Sequence, residues 1–452
     1  MRAKLPKLTL EQRQIDAVNK MVAEPTRAAL NASLMGTGKT LMGVEVAKAI
    51  NAKTILIVGP LNTFWGWHDT IQRQNDYNAH GLFKIDSSKQ GNKAWLDIQS
   101  GTPGWYFIGR EYFRTKDWAG IVPDIVLLDE CHFAQNRKSK SFSKLKTLKA
   151  GYKLSMSGTP SGNKFEGFWA VSRWLWNDTK IVDKSFWKWV DKYAETAYSP
   201  FAGVEIVREK VAGKFVSDLP CYIRLEANHN LEVVEETRFV DLTPTQRKVY
   251  DKFEKDLVVW LKDNPMIAEV PIAARIRLRQ ITLAVPSINE ANEVVFEDDA
   301  VSTKFKALQE IIEDNPGEPM LLLTDSQKYA SLVARRLGDS AFEWSGQANQ
   351  GQREAAKQKF LAGKLQYIVA VIPAIAEGVD GLQDVCSTIV WLSHSDSNLM
   401  NQQVIDRIRR RGQKNVVKIY DIVARDTYDE GQISNLLQRQ LEMNATLRNK
   451  KE

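Results

Sequence analysis

The chain has 452 residues, 43% of them apolar and 26% charged, which is the balance of a globular protein too long for one core. Its three cysteines, Cys131, Cys221 and Cys386, are far apart and form no CxxC pair, which argues against a disulfide framework or a cysteine-built zinc site. A formal charge of +7 permits a polyanionic partner without requiring one. The opening MRAKLPKLTLEQRQ lacks the apolar core of a signal peptide, and no apolar run reaches the roughly 18 residues needed to span a bilayer. A cytoplasmic protein with no membrane partner is the expectation.

In chain order, the first chemical signal is SLMGTGKT, residues 33–40, which precedes the helix-like run LMGVEVAKAI. Gly36 and Gly38, with Thr37 between them, let the backbone fold tightly so that its amides and a helix N-terminus can surround phosphate oxygens. Lys39 is placed to reach β- and γ-phosphates and Thr40 to put its hydroxyl on Mg2+. The full pattern has glycine where this chain has Ser33, and a glycine turn formed by chance is the plainer alternative. KTILIVGP, GWYFIG, DIVLLDE and KLSMSGTP then read as buried parallel strands separated by amphipathic crossovers.

The third of these runs, VLLDECHFAQN, ends a buried strand in two acids. Asp129 is placed to hold the Mg2+ that bridges terminal phosphates, and Glu130 to polarise the attacking water as general base. A cap or a salt bridge is the alternative for the pair. Cys131 and His132 have no further Cys or His nearby and read as packing or coupling residues. Residues 161–228 are rich in aromatics (Trp169, Trp174, Trp176, Phe186, Trp187, Trp189) without strand alternation, which predicts a helical insertion. The aromatics read as core packing, with a DNA-facing wedge as the alternative.

PMLLLTD, QYIVAVI and TIVWLSH repeat the buried-strand texture, so two α/β sheets in tandem are expected. In NQQVIDRIRRRGQ, residues 401–413, Arg407 and Arg410 are three apart and are expected on one helix face, where they can offer charge to a γ-phosphate. An arginine so placed contributes about 10³ to 10⁵ in rate. A solvated basic helix or a nucleic-acid patch remains the alternative, and Arg409 and Arg411 suit it.

Taken together, these segments resemble a superfamily II helicase motor over residues 8 to about 430, most specifically the Swi/Snf-type double-stranded DNA translocases. QIDAVNKM resembles the segment whose glutamine reads adenine, implicating Gln14. SLMGTGKT corresponds to motif I, LIVGPLNTFWGW to motif Ia, DECHFAQNRKSK to motif II with its trailing basic loop, and SGTPSGNKFEGFWAV to motif III. FVDLTPTQRKVYDKF, RIRLRQI and STKFKALQEII are the segments that separate this family from other helicases. QQVIDRIRRRGQ resembles motif VI, with Gln403, Arg407, Arg410 and Gln413 in register. Motif V departs, reading AEGVDGLQ, and DSN replaces the usual Trp-Asn-Pro before motif VI.

The resemblance implies an α/β fold of two tandem RecA-like lobes, each a parallel sheet flanked by helices. Lobe 1 is expected over residues 1–228 with its insertion at 161–228, and lobe 2 over 229–452 with a helical insertion at about 243–300. It implies ATP and Mg2+, with Gln14, Gly36, Thr37, Gly38, Lys39, Thr40 and Gln403 on the nucleotide and Thr40 and Asp129 on the metal. Lys39, Glu130, Arg407 and Arg410 are the catalytic set, completed when the lobes close. Candidate DNA contacts are Arg110 in FIGREYF and Lys138 and Lys140 after motif II, each equally readable as a solubility charge. The implied activity is ATP-driven movement along duplex or branched DNA, blind to sequence, by a monomeric bare motor of bacterial or phage type. The alternatives are a motor subunit serving a separately encoded nuclease in a restriction or recombination complex, and a nucleotide-gated nucleic-acid binding module.

Overall fold

Continuous apolar runs build the sheets because helices bury both of their faces. The computed structural model describes residues 6–447 except 75–80, 163, 178–181, 200–202, 227–230, 262–263, 268–270, 292, 377–378, 380 and 411. The chain divides into two units, Met1–Asn228 with Gln440–Glu452, and His229–Arg439.

The first unit holds β1 (Ala28–Asn31), β2 (Thr54–Gly59), β3 (Leu82–Ile85), β4 (Gly104–Gly109), β5 (Ile125–Asp129) and β6 (Tyr152–Met156). It continues with β7 (Ala194–Ser199), β8 (Gly203–Glu209) and β9 (Tyr222–Ile223). Seven of these form one sheet in the order β3-β4-β2-β5-β6-β1-β9, and every pairing in it is parallel. Alternation along β2 feeds two cores, Leu56 and Val58 on one face and Ile55 and Ile57 on the other. Asn31 of β1 and Asp129 of β5 both lie opposite Met156 of β6. The segments that follow these three strands therefore leave the carboxyl edge of the sheet at one level, where open α/β sheets bind ligands.

The segment expected to be a helical insertion is only partly so. Helices Gly167–Leu175 and Phe186–Tyr193 are followed by the antiparallel hairpin β7-β8, and β9 joins the main sheet beside β1. A register shift between Glu195 and Thr196 breaks the period of two, and most described hairpin positions are exposed or half-buried, so no clean apolar alternation marks it. Trp169, Trp174, Trp176 and Trp189 are core residues and Phe186 is half-buried, as core packing requires; Trp187 is exposed.

The second unit carries β10 (Val233–Val240), β11 (Val258–Leu261), β12 (Asn264–Ile267), β13 (Ser287–Ile288), β14 (Val294–Val295) and β15 (Met320–Thr324). After these come β16 (Ala341–Trp344), β17 (Tyr367–Val371), β18 (Thr388–Trp391) and β19 (Val417–Ala424). Its main sheet runs β10-β19-β18-β15-β17-β16, again parallel throughout. The architecture is the expected one, two parallel sheets flanked by helices in tandem. The insertion expected to be helical over 243–300 contains helices Pro244–Asp256 and Pro271–Leu283, but also the short antiparallel pairs β11-β12 and β13-β14. The first of these helices starts where its chemistry says it should, on a Thr243 hydroxyl cap followed by proline.

Residues 440–452, expected in the second lobe, belong to the first unit. Leu447 is buried in a first-unit core and its carbonyl accepts the Tyr222 hydroxyl at 3.0 Å.

Candidate active site

The glycine loop follows β1 and closes on the N-terminus of helix Lys39–Ala49. Gly36 and Gly38 adopt φ of 75° and 80°, a left-handed backbone that favours glycine. At Gly38 a Cβ would also lie 2.5 Å from Gln14 Nε2, so this position requires glycine twice over. Ser33 has no such demand, which explains its departure from the glycine pattern: its hydroxyl accepts the Leu225 amide at 3.0 Å and its own amide donates to Asn31 Oδ1 at 3.1 Å. Lys39 Nζ donates to the carbonyls of Ser33 at 2.9 Å and Leu34 at 3.0 Å, so the ammonium lies against the mouth of the loop. Thr37 is buried and its hydroxyl donates to Leu34 O at 2.7 Å, while Thr40 sits half-buried in the first helical turn.

Gln14 belongs to helix Gln12–Ala23 and is buried against this loop. The amide that the resemblance assigns to adenine donates to Thr37 O at 2.8 Å, and its oxygen accepts the Glu11 amide at 2.7 Å. In this arrangement Gln14 holds the loop in shape.

Asp129 closes β5, and its neighbour β2 ends in Gly59, where a Cβ would come within 2.9 Å of Asp129 Cβ. Trp67 Nε1 donates to Asp129 Oδ2 at 2.9 Å. Burial and the adjacent Glu130 charge push the Asp129 carboxyl up, more than Trp67, Thr63 and Lys39 bring it down. Glu130 adopts φ 50° and ψ 54°, which turns its side chain away from that of Asp129. Its Oε2 accepts the Ser157 hydroxyl at 2.9 Å and lies 3.3 Å from His132 Nδ1, while His132 Nδ1 and Ser157 Oγ are 3.1 Å apart. Burial would raise the Glu130 carboxyl, yet the hydrogen bond and charge of His132, with Lys39 and Ser157, hold it below the usual carboxylate range. Cys131 is a core residue, so of the two side chains that follow the acids only His132 touches the site.

These residues fit a magnesium nucleotide. A divalent cation beside Asp129 offsets the cost of its buried charge, and the loop supplies amides, an ammonium and a helix start for phosphates. Among the described residues no three His, Cys, Asp or Glu side chains form a metal cage. A Mg2+ ion entering with a nucleotide would take most of its ligands from phosphate and water and would need few from the protein. Trp67, Thr63, Ser157 and Gly59 escaped the sequence reading. All four lie in predicted strands or motifs, but only strand order brings them to the acids.

In the second unit, helix Asn398–Ile408 carries Gln403 and Arg407 and stops before Arg410. The expectation that both arginines share a helix face is therefore corrected. Arg409 caps the helix, and a turn containing Gly412 at φ 106° carries Arg410 on a different element. Arg407 donates to Ala376 O at 2.8 Å, and Gln413 is buried with its amide donating to Cys386 O at 2.8 Å. Gly378 and Asp380 of motif V, and Arg411, lie outside the described residues. Of the residues proposed to face DNA, Lys138 and Lys140 are exposed on the first unit and Arg110 is half-buried at the end of β4.

Comparison with known proteins gives the family. The SNF2-related domain model matches residues 13–284 and the helicase conserved C-terminal domain model matches 303–412. A probable global transactivator of Orgyia pseudotsugata multicapsid polyhedrosis virus is 21% identical over 411 residues, 86% of this chain and 80% of that protein. An uncharacterized ATP-dependent helicase, YqhH, of Bacillus subtilis is 23% identical over 94% of this chain and 77% of its own length. The human SWI/SNF-related matrix-associated actin-dependent regulator of chromatin subfamily A member 1 is 21% identical over 88% of this chain, which spans only 39% of that protein. The solved Sulfolobus solfataricus SWI2/SNF2 ATPase core in complex with dsDNA aligns with TM-score 0.44 and 18% identity, covering 99% of this chain and 95% of that one. With one family model spanning well over half its length and a second following it, the chain belongs to the SNF2-related family of helicase-like, DNA-dependent ATPases.

Proposed function

We propose that the chain is a motor that couples ATP hydrolysis to sequence-blind movement along duplex or branched DNA. The observation that carries this reading is the gathering of Lys39, Asp129 and Glu130 on one carboxyl edge, in a chain whose family matches run through both parallel sheets.

In the proposed reaction the loop amides and Lys39 hold the β- and γ-phosphates, and Thr40 and Asp129 are the residues that hold Mg2+. Bound Mg2+ supplies charge neutralisation at the terminal phosphates. Glu130 accepts the proton of the attacking water, oriented for this by Ser157 and His132. Arg407, Arg410 and Gln403 are assigned to the nucleotide by their motif, Arg410 as the charge offered to the γ-phosphoryl group as it passes from ADP to water. Lys138, Lys140 and Arg110 are assigned to DNA phosphates, contacts that position without reading bases. The relative named as an ATP-dependent helicase supports ATP-driven action.

Displacement of a third strand from a triplex, with ATP hydrolysis followed on single-stranded DNA, duplex, forked DNA and RNA, tests the reading. ATP-dependent displacement and stimulation by duplex or forked DNA are expected. Stimulation without displacement on any of these substrates contradicts a motor.

A further inference from the structure

We infer that Arg137 and Trp187 form a site for an unpaired base of DNA, so that the chain favours gapped or forked DNA over uninterrupted duplex. The inference rests on the DNA motor reading above and names its substrate more closely.

Helix Phe186–Tyr193 has the sequence FWKWVDKY, and its phase is fixed by the Ser185 hydroxyl, which accepts the Lys188 amide. The i, i+3, i+4, i+7 spacing turns Phe186, Trp189, Val190 and Tyr193 inward, and Trp189, Val190 and Tyr193 are buried. Trp187 falls on the polar face beside Lys188 and is 51% exposed. The core already has its tryptophan in Trp189, so packing does not account for an indole on this face.

Trp187 is nevertheless held. The Phe186 ring meets it edge-on at 5.3 Å, and the Arg137 guanidinium lies 4.2 Å from the Phe186 centroid and 5.9 Å from that of Trp187. Lys138, Lys140, Lys184 and Lys188 flank these two residues in sequence, are all exposed, and form no ion pair among the described residues. Of the nearby acids, Asp183 accepts the Ser185 amide, and the exposed Asp191, four positions after Trp187, shares its helix face and is outnumbered there by the basic side chains. An exposed indole with a guanidinium 5.9 Å from its ring and exposed lysines adjacent in sequence offers what single-stranded nucleic acid requires, a face for the base and positive charge for the phosphates. Bases within a duplex are already stacked and offer no face. An acidic peptide would satisfy the lysines and leave the indole without a planar partner.

Arg137 follows Glu130 by seven positions, past the turn Cys131–Ala134.

The test uses the full chain and two labelled DNAs, a duplex and the same duplex with a short single-stranded gap, compared by anisotropy at one salt concentration. About tenfold tighter binding of the gapped DNA is expected, from one stacked base. Trp187→Ala is expected to bring the gapped DNA to the level of duplex, with duplex binding and duplex-stimulated ATP hydrolysis unchanged; Trp187→Phe is expected to keep most of the preference. Lys138→Ala with Lys188→Ala is expected to weaken both DNAs alike. A gap preference that survives Trp187→Ala, no preference in the unaltered chain, or an equal loss of polyglutamate binding in Trp187→Ala overturns the site. Absence of stimulation by every DNA overturns the motor reading instead, so the two failures are distinguishable.

Discussion

Glu130 occupies left-handed backbone space that non-glycine residues seldom visit. That turn separates two carboxyls adjacent in sequence, sending Asp129 toward Trp67 and Glu130 toward Ser157 and His132. Environment then divides their roles, Asp129 pushed up by burial and Glu130 held down by its hydrogen-bonding partners. Trp67 is the side chain through which this division can be probed without touching the nucleotide. Trp67→Phe keeps most of the buried ring and removes the donor to Asp129, so a rise of about tenfold in the Mg2+ concentration for half-maximal ATP hydrolysis is expected. Binding of nucleotide without Mg2+ is expected to stay the same, and an unchanged Mg2+ titration would show that Asp129 does not hold the ion.

Where an element stops decides what its side chains can do. The helix carrying Arg407 ends at Ile408, so Arg407 is tied to Ala376 by a hydrogen bond while Arg410 rides on the turn that follows. Substitution at Arg410 therefore leaves the helix and its bond to Ala376 in place. Arg410→Ala is expected to keep both nucleotide and DNA binding and to lose at least tenfold of DNA-stimulated hydrolysis with little change in melting temperature. A stimulated rate within threefold of the unaltered chain would remove Arg410 from the reaction. The helix end was not legible in QQVIDRIRRRGQ, because its pattern continues past Ile408 and only the Gly412 turn interrupts it. The hairpin β7-β8 was hidden for a related reason, since a bulge and largely solvent-facing strands erase alternation.

The two parallel sheets were legible from short apolar runs, and the glycine loop with the acids beside it from residue type at fixed spacing. Those signals are local, because a tight turn needs Gly36 and Gly38 and a buried strand end needs a reason to carry acids. Strand order is not local. It sets β1, β6 and β5 side by side and brings Ser157 to Glu130, and it places β2 against β5 so that Gly59 makes room for Asp129. The end of the last helix groups with the first unit, Leu447 accepting the Tyr222 hydroxyl, a contact that no spacing announces. In the function proposed above, ATP hydrolysis depends on Glu130 acting on water once nucleotide is held by the loop. Steady-state ATP hydrolysis by Glu130→Gln at saturating duplex DNA, with nucleotide affinity measured in parallel, examines that dependence. Unchanged affinity with a rate at least about 100-fold lower is expected; a rate equal to that of the unaltered chain would contradict it.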